Sequence, residues 1–273
     1  MLVPFRKMHG LGNDFVVLDA RALPADRPLA MSERRALGLA DRMTGIGCDQ
    51  LIVLEDSACA DVRMRIFNHD GGEVGACGNA TRAIGLLLGG ERSIETAGGL
   101  LRTRAGAGGI AVDMGAPRFD WQAIPLAYAM DTSHMPVSWE DLADPAAVNV
   151  GNPHVVFFVA RDAAIDMARL GPLIEHDPLF PQRVNVNVAR VLGPDRIRLD
   201  VWERGAGLTR ACGTGACATM VAAARRKLVG DRATVVLPGG ELVIDWRDGG
   251  SITMTGPAAT AFTGEVDLAD FPA

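Results

Sequence analysis

Lysine is nearly missing from this sequence: Lys7 and Lys227 are the only two in 273 residues. A cofactor held as a Schiff base needs a lysine. Neither of these sits in a glycine-rich or strand-end loop, which disfavours pyridoxal-type chemistry. No cysteine pair has C-x-x-C spacing, and the five cysteines (Cys48, Cys59, Cys77, Cys212 and Cys217) are odd in number. That argues against a disulfide framework, a zinc knuckle or a dithiol redox centre, and no metal site is expected. Basic runs interleaved with aromatics are absent and the net charge is -6, which argues against nucleic acid or an anionic membrane as the main partner. The longest apolar runs, such as VVFFVA at 155–160, have the length of a strand and not of a bilayer span. The N-terminal stretch lacks the charged and apolar regions of a secretory signal. The expected setting is therefore the reducing cytoplasm.

What is present is a globular composition, 48% hydrophobic and 22% charged, able to bury a core. The chain also repeats itself. GNDFVVL at 12–18 is echoed by GNPHVVFF at 151–158, and ACGNATRA at 76–83 by ACGTGACA at 211–218. GGLLRTRAGAGGIAVDMG at 98–115 is echoed by GGELVIDWRDGGSITMTG at 239–256. Three echoes in one order imply two similar halves. Each half reads as a strand (DFVVLDA; HVVFFVA), then a helix, then alternating strands (DVRMRIFN; RIRLDVWER), a Cys-Gly turn with its own helix, and a closing hairpin. The first helix falls within 31–43, with Ser32 as N-cap. Its counterpart falls within 163–174. Strands arriving in runs with helices interspersed favour α+β over a doubly wound sheet. The proline-bearing stretch 116–148 reads as an irregular connection with an edge strand, and the tail after 260 as a segment crossing back to the first half.

The chemistry gathers at the two Cys-Gly turns. A helix N-terminus favours negative charge, and thiols there can ionise at a pKa of roughly 3.5–7.5. Two thiols sharing one site cannot both ionise easily, so one thiolate and one thiol is the favoured state. Such a pair can take a proton from one face of a carbon and return one to the other, inverting the centre. Backbone N–H groups beside each cysteine can hold a carboxylate and stabilise the carbanion-like transition state. The glycine after each cysteine permits close approach. Cys48, Cys59 and Cys217 read as small core hydrophobes. The ARRKL run at 224–228 reads as a basic helix end complementing the dipole.

Taken together, MHGLGNDFVVLD, NHDGGEVGACGNATR, GNPHVVFFV, RVNVNV and ERGAGLTRACGTGACA resemble the motifs of the diaminopimelate epimerase family, over most of the chain. The resemblance implies two pseudo-symmetric α/β domains, each a mixed or antiparallel barrel-like sheet around a central helix. Residues 1–117 plus 263–273 would form one domain and 118–262 the other, with the active site in the cleft between them. It implies a cofactor-independent isomerase that interconverts LL- and meso-diaminopimelate in lysine and peptidoglycan-precursor biosynthesis, working as a homodimer. Cys77 and Cys212 match the base/acid pair. Gly78, Asn79, Gly213 and Thr214 match the turns that bind the reacting carboxylate. Asn13, Gln50, Asn68, Asn152, Asn185, Glu203 and Arg204 match substrate contacts, and His154 and Glu203 match positions that tune the thiols. The chain departs from the family pattern at Gly72, Ala80, Ala83, Leu208 and Phe262. A histidine racemase, a proline or hydroxyproline racemase and a non-catalytic ligand-binding protein are the alternatives; Asn79, where the proline-type enzymes carry His, argues against the second of these.

Overall fold

The structure is a computed structural model that describes residues 1–271 apart from 25, 27, 76 and 107. Pro272 and Ala273, the last two residues of the expected tail segment, lie outside the described residues. The chain divides into two compact units, one of residues 1–112 with 256–273 and one of residues 113–255.

In the first unit, strands Leu2–Gly10 and Asn13–Asp19 are antiparallel, and Asn13–Asp19 runs parallel to Gln50–Glu55. The order continues antiparallel to Val62–Asn68, parallel to Glu91–Thr96 and antiparallel to Gly99–Gly106. The sheet is mixed and does not close into a barrel. The run Phe15-Val16-Val17-Leu18 is apolar throughout because both of its faces are buried. Phe15 and Val17 pack in the cluster that holds Ala80, Ala83 and Ile84 of helix α2 (Gly78–Leu88). Val16 and Leu18 pack with Ala36, Leu39 and Ala40 of helix α1 (Glu33–Ala40). The tail does cross back: strand Ala259–Asp267 pairs antiparallel with Leu2–Gly10.

Helix α1 is shorter than the sequence pattern suggests. Ser32 caps it as expected, its side chain accepting from Arg35 N. At the other end the Asp41 carboxylate accepts from Met43 N and Thr44 N. That local turn competes with further helix, so Arg42 and Met43 fall outside it.

The second unit repeats the same sequence of pairings. Ala146–Asn149 and Pro153–Phe158 are antiparallel, and Pro153–Phe158 runs parallel to Asn185–Gly193. The order then goes antiparallel to Arg196–Glu203, parallel to Arg232–Leu237 and antiparallel to Gly240–Asp245. The two units thus share one topology as well as one set of motifs. Helix α3 (Met167–Glu175) packs Met167, Leu170 and Ile174 against Val155, Phe157, Val186 and Val188. Helix α4 (Gly213–Arg225) is buried along most of its length; its small alanines let it lie close against the strands.

One expectation needs correcting and two gain detail. The stretch 116–148 is irregular, as read, and it also enters the core: Ile124, Leu126, Met135 and Leu142 belong to the unit's apolar cluster. Cys59 is exposed, not a core hydrophobe. It lies in a turn that Ser57 Oγ organises by accepting from Cys59 N and Ala60 N. The basic end of α4 does more than complement the dipole. Arg225 lies 3.9 Å over the Phe119 ring, and Arg226 Nε donates to Ser133 O at 2.8 Å. Among the described residues, no helix is long and apolar enough to cross a membrane.

Candidate active site

Each unit presents a cysteine as the N-cap of a helix. Cys77 precedes α2 with an extended backbone, and its Sγ accepts from Ala80 N at 3.5 Å. Cys212 precedes α4 in the same way, and its Sγ accepts from Gly215 N at 3.3 Å. Sulfur thus takes the place of the usual Ser or Asp oxygen. Ala80 departs from the family pattern only in its side chain, since the bond to Cys77 uses its backbone.

Around Cys77 the structure gathers Asn13 and Asn79. The Cys77 thiol faces Asn13 Oδ1 at 3.9 Å, and Asn79 Nδ2 donates to the same oxygen at 3.1 Å. Asn13 is held from behind. Its Nδ2 donates to Asp49 Oδ2 at 3.0 Å, and Arg42 ties Asp49 to Asp14. Burial alone would raise the Asp14 pKa, but hydrogen bonds from Arg42 and Lys7 outweigh it and hold the carboxyl well below its ordinary value. Gln50 and Asn68 lie directly opposite each other on neighbouring strands, and Gln50 Nε2 donates to Asn68 Oδ1 at 2.9 Å. Gln50 Oε1 is buried without a partner among the described residues; a ligand donor there would complete it.

Around Cys212 lie Thr214, whose Oγ1 is 3.5 Å from Sγ, and Glu203. Cys212 is 3% exposed. Burial pushes its thiol well above the ordinary value and the nearby Glu203 carboxylate adds to the shift, while hydrogen bonds from Thr214 and Gly215 oppose it. Burial likewise raises Glu203, against a 2.5 Å hydrogen bond from Thr209 Oγ1. Arg204 is fixed through its backbone, its N donating to Asn185 Oδ1 at 2.9 Å, and its Nη1 donates to Gln182 O. Asn185 Nδ2 donates in turn to Pro153 O at 2.8 Å. Gly213 is buried at the start of α4, next to Cys212. His154 is fully buried, and burial lowers its pKa to about 3. Its ring bonds Asn152 and Asn187, at 2.9 and 3.0 Å.

Four supporting residues escaped the sequence reading: Arg42, Asp49, Asn187 and Glu175, whose carboxylate accepts from Trp202 Nε1 and Gly205 N on either side of Glu203 and Arg204. Asn187 left a readable signal. Two asparagines spaced i, i+2 in RVNVNV share one face of a strand, where asparagine is disfavoured. Asp49 left only its place beside Gln50, and Arg42 and Glu175 left none.

Gly215 has a steric reason to be glycine. A Cβ there would stand 2.8 Å from Asn187 Oδ1 and 3.2 Å from Cys212 Sγ. Gly215→Ala is therefore expected to cost about 1–3 kcal/mol of stability and to displace the thiol. Thermal unfolding alongside peptide-resolved alkylation of Cys212 checks this. Parent-like values in both would contradict the packing.

The diaminopimelate epimerase model matches residues 5–119 and 146–261. The diaminopimelate epimerase of Rhizorhabdus wittichii is 63% identical over 273 residues, covering 100% of this chain and 98% of the relative. That of Erythrobacter litoralis is 60% identical, covering 99% of this chain and 100% of its own. Among solved structures, a PhzF-family phenazine biosynthesis protein from Bacillus anthracis aligns with a TM-score of 0.69 at 16% identity, over 98% of this chain and 99% of that one. A hydroxyproline epimerase from Agrobacterium vitis aligns at 0.67 and 16%, over 98% of this chain and 93% of its own. These two show the fold alone. The family match over both units, with full-length relatives at 60% identity or more, places the chain in the diaminopimelate epimerase family.

Proposed function

We propose that this protein is an isomerase that interconverts LL- and meso-diaminopimelate by a two-base mechanism, with Cys77 and Cys212 acting on opposite faces of one α-carbon. The observation that carries the reading is the matched pair of thiols, each capping a helix and each accepting a first-turn backbone N–H. Helix geometry leaves the N–H groups of the first turn without intrahelical acceptors. Those of Gly78 and Asn79, and of Gly213 and Thr214, are the donors for the reacting carboxylate. They stabilise charge as it moves from the α-carbon onto that carboxylate. One thiolate removes the α-proton, and the opposite thiol supplies a proton to the other face. The far end of the substrate carries one ammonium and one carboxylate, and the neutral amides of Asn13, Gln50, Asn68, Asn152 and Asn185 with the Arg204 guanidinium sort the two. The reaction needs no cofactor, serves lysine and peptidoglycan-precursor biosynthesis, and takes place in the cytoplasm in a homodimer; these last features rest on the family resemblance.

The deciding experiment follows α-hydrogen exchange in heavy water with diaminopimelate, proline and histidine side by side. Deuterium is expected in diaminopimelate only, with interconversion of its isomers. Exchange confined to proline or histidine would replace the reading, and exchange with none would remove it.

The burial of Cys212 fixes a sign. With its pKa raised, Cys212 in the ligand-free protein stays protonated at and above pH 9.0, the ordinary value, and is the resting acid. Its alkylation by iodoacetamide, followed peptide by peptide, is expected to rise only above that pH. Glu203→Gln removes a contributing negative charge, so the inflection should move down. An inflection below pH 8 in the parent protein would contradict the assignment.

A further inference from the structure

Asn187 touches neither thiol through a hydrogen bond, yet it occupies a decisive place. Its Nδ2 lies 3.0 Å from the Val155 carbonyl oxygen and 3.5 Å from that of Asn185. A carbonyl can only accept, so the close Val155 oxygen alone turns the NH2 toward it, whatever the histidine does. The 3.5 Å contact to Asn185 is too long to claim a hydrogen, which leaves the second N–H for another acceptor. The same Nδ2 lies 3.0 Å from His154 Nδ1. A ring nitrogen facing a fixed donor must itself accept. The buried, neutral imidazole holds one ring proton, so that proton sits on Nε2. There it meets Asn152 Oδ1 at 2.9 Å, and the Asn152 amide is in turn committed: Oδ1 is spent on His154, and Nδ2 is the end left for a ligand.

We infer that Asn187 is a positioning residue that sets, through the tautomer of His154, which end of the Asn152 amide is offered to substrate. The atom offered is a donor, so the group recognised at Asn152 is an acceptor, a carboxylate or carbonyl oxygen, and not an ammonium. The relay gives His154 a task other than tuning the thiols. It also accounts for a polar triad inside an apolar unit: the bonds on the two ring nitrogens and on the Asn187 NH2 fix one arrangement, while Asn187 Oδ1 has no hydrogen-bond partner among the described residues. The functional half of the inference rests on Asn152 as a substrate contact; the tautomer half does not.

The test separates the two. Protein labelled with 15N-histidine contains five rings, and the His154→Gln spectrum identifies that of His154. Long-range proton–nitrogen correlation in the parent is expected to show Nε2 protonated and Nδ1 bare. A proton on Nδ1 overturns the inference without any variant and without any activity measurement. Asn187→Leu removes the fixed donor, and its spectrum should show both tautomers. KM for diaminopimelate should rise about tenfold while kcat stays within about threefold, the pattern of lost binding and not of lost chemistry. Asn152→Asp keeps the acceptor for Nε2–H but offers no donor, so KM should rise at least as much with the His154 tautomer unchanged. Unchanged KM in Asn152→Asp, or loss of kcat alone in Asn187→Leu, overturns the assigned role. If Asn187→Leu does not fold, the parent spectrum and Asn152→Asp decide the matter. A parent protein inactive on diaminopimelate but showing the Nε2–H tautomer would remove the proposed substrate and leave the relay standing.

Discussion

Alanine at either Cys77 or Cys212 is expected to remove epimerisation of diaminopimelate, with turnover falling by about a thousandfold or more. A positioned acid or base contributes about 10²–10⁴-fold; on the proposed two-base scheme inversion uses both thiols in every turnover, so neither compensates for the other. Serine is the sharper substitution. Its hydroxyl can still accept the N–H of Ala80 or Gly215 that the sulfur now accepts, so the helix cap survives. The hydroxyl is far too weak an acid to ionise near neutral pH. Cys77→Ser and Cys212→Ser should therefore unfold close to the parent temperature and still fail in turnover, which assigns the loss to chemistry. Either serine variant retaining turnover within about tenfold of the parent would end the two-base scheme. A one-base enzyme would lose activity on one substitution only, and the pair of variants distinguishes the cases.

The parts of the site that could be read in advance are those whose signal is local. A Cys-Gly turn before an alanine-rich stretch announces a capped helix, and both caps are present. The alternation in RVNVNV places Asn185 and Asn187 on one strand face, although only Asn185 matched a motif. The internal repeat foretold a shared topology, because two copies of one pattern of apolar runs and turns can bury themselves in one way. What could not be read is how the contacts are braced. Asp49 holds Asn13 across 36 positions of chain, and nothing in the local pattern around either residue specifies that pairing. The core role of 116–148 was hidden for a related reason. Its prolines break the periodicity that marks elements, yet Ile124 and Met135 still find the apolar cluster. Burial is decided there by tertiary packing and not by propensity. The same holds for Arg225 and Arg226, whose charges suit a helix end but whose planar groups are settled by Phe119 and the Ser133 carbonyl.

Glu175→Ala is expected to lower stability by about 1.5–3 kcal/mol, the scale of losing hydrogen bonds to a charged acceptor. Glu175 is the last residue of α3 and is only 2% exposed. Its carboxylate accepts from Trp202 Nε1 at 2.7 Å and from Gly205 N at 3.0 Å, with Arg183 3.7 Å away. These donors flank Glu203 and Arg204, so one carboxylate clamps both ends of the turn that carries them. The chain needs the clamp because Gly205 turns at φ +76°, and Trp202 lies so close to α3 that a Cβ on Gly171 would stand 2.4 Å from its ring. Alanine leaves the N–H groups of the half-buried Trp202 and the exposed Gly205 without this acceptor; a hydrogen bond to a charged group is worth about 1.5–3 kcal/mol, and water at Gly205 recovers part of the loss. Glutamine retains one acceptor oxygen and should recover part of the loss, which a difference in urea midpoint at constant slope would report. The effect reaches the site by a second route. Arg204 N is also held by Asn185, so the turn is pinned from two sides. Glu175→Gln and Asn185→Ala should therefore combine to raise KM by more than the product of their separate effects. Strict additivity would mean that the two anchors act on separate parts of the turn, and a parent-like midpoint in Glu175→Ala would show that the carboxylate does not stabilise it.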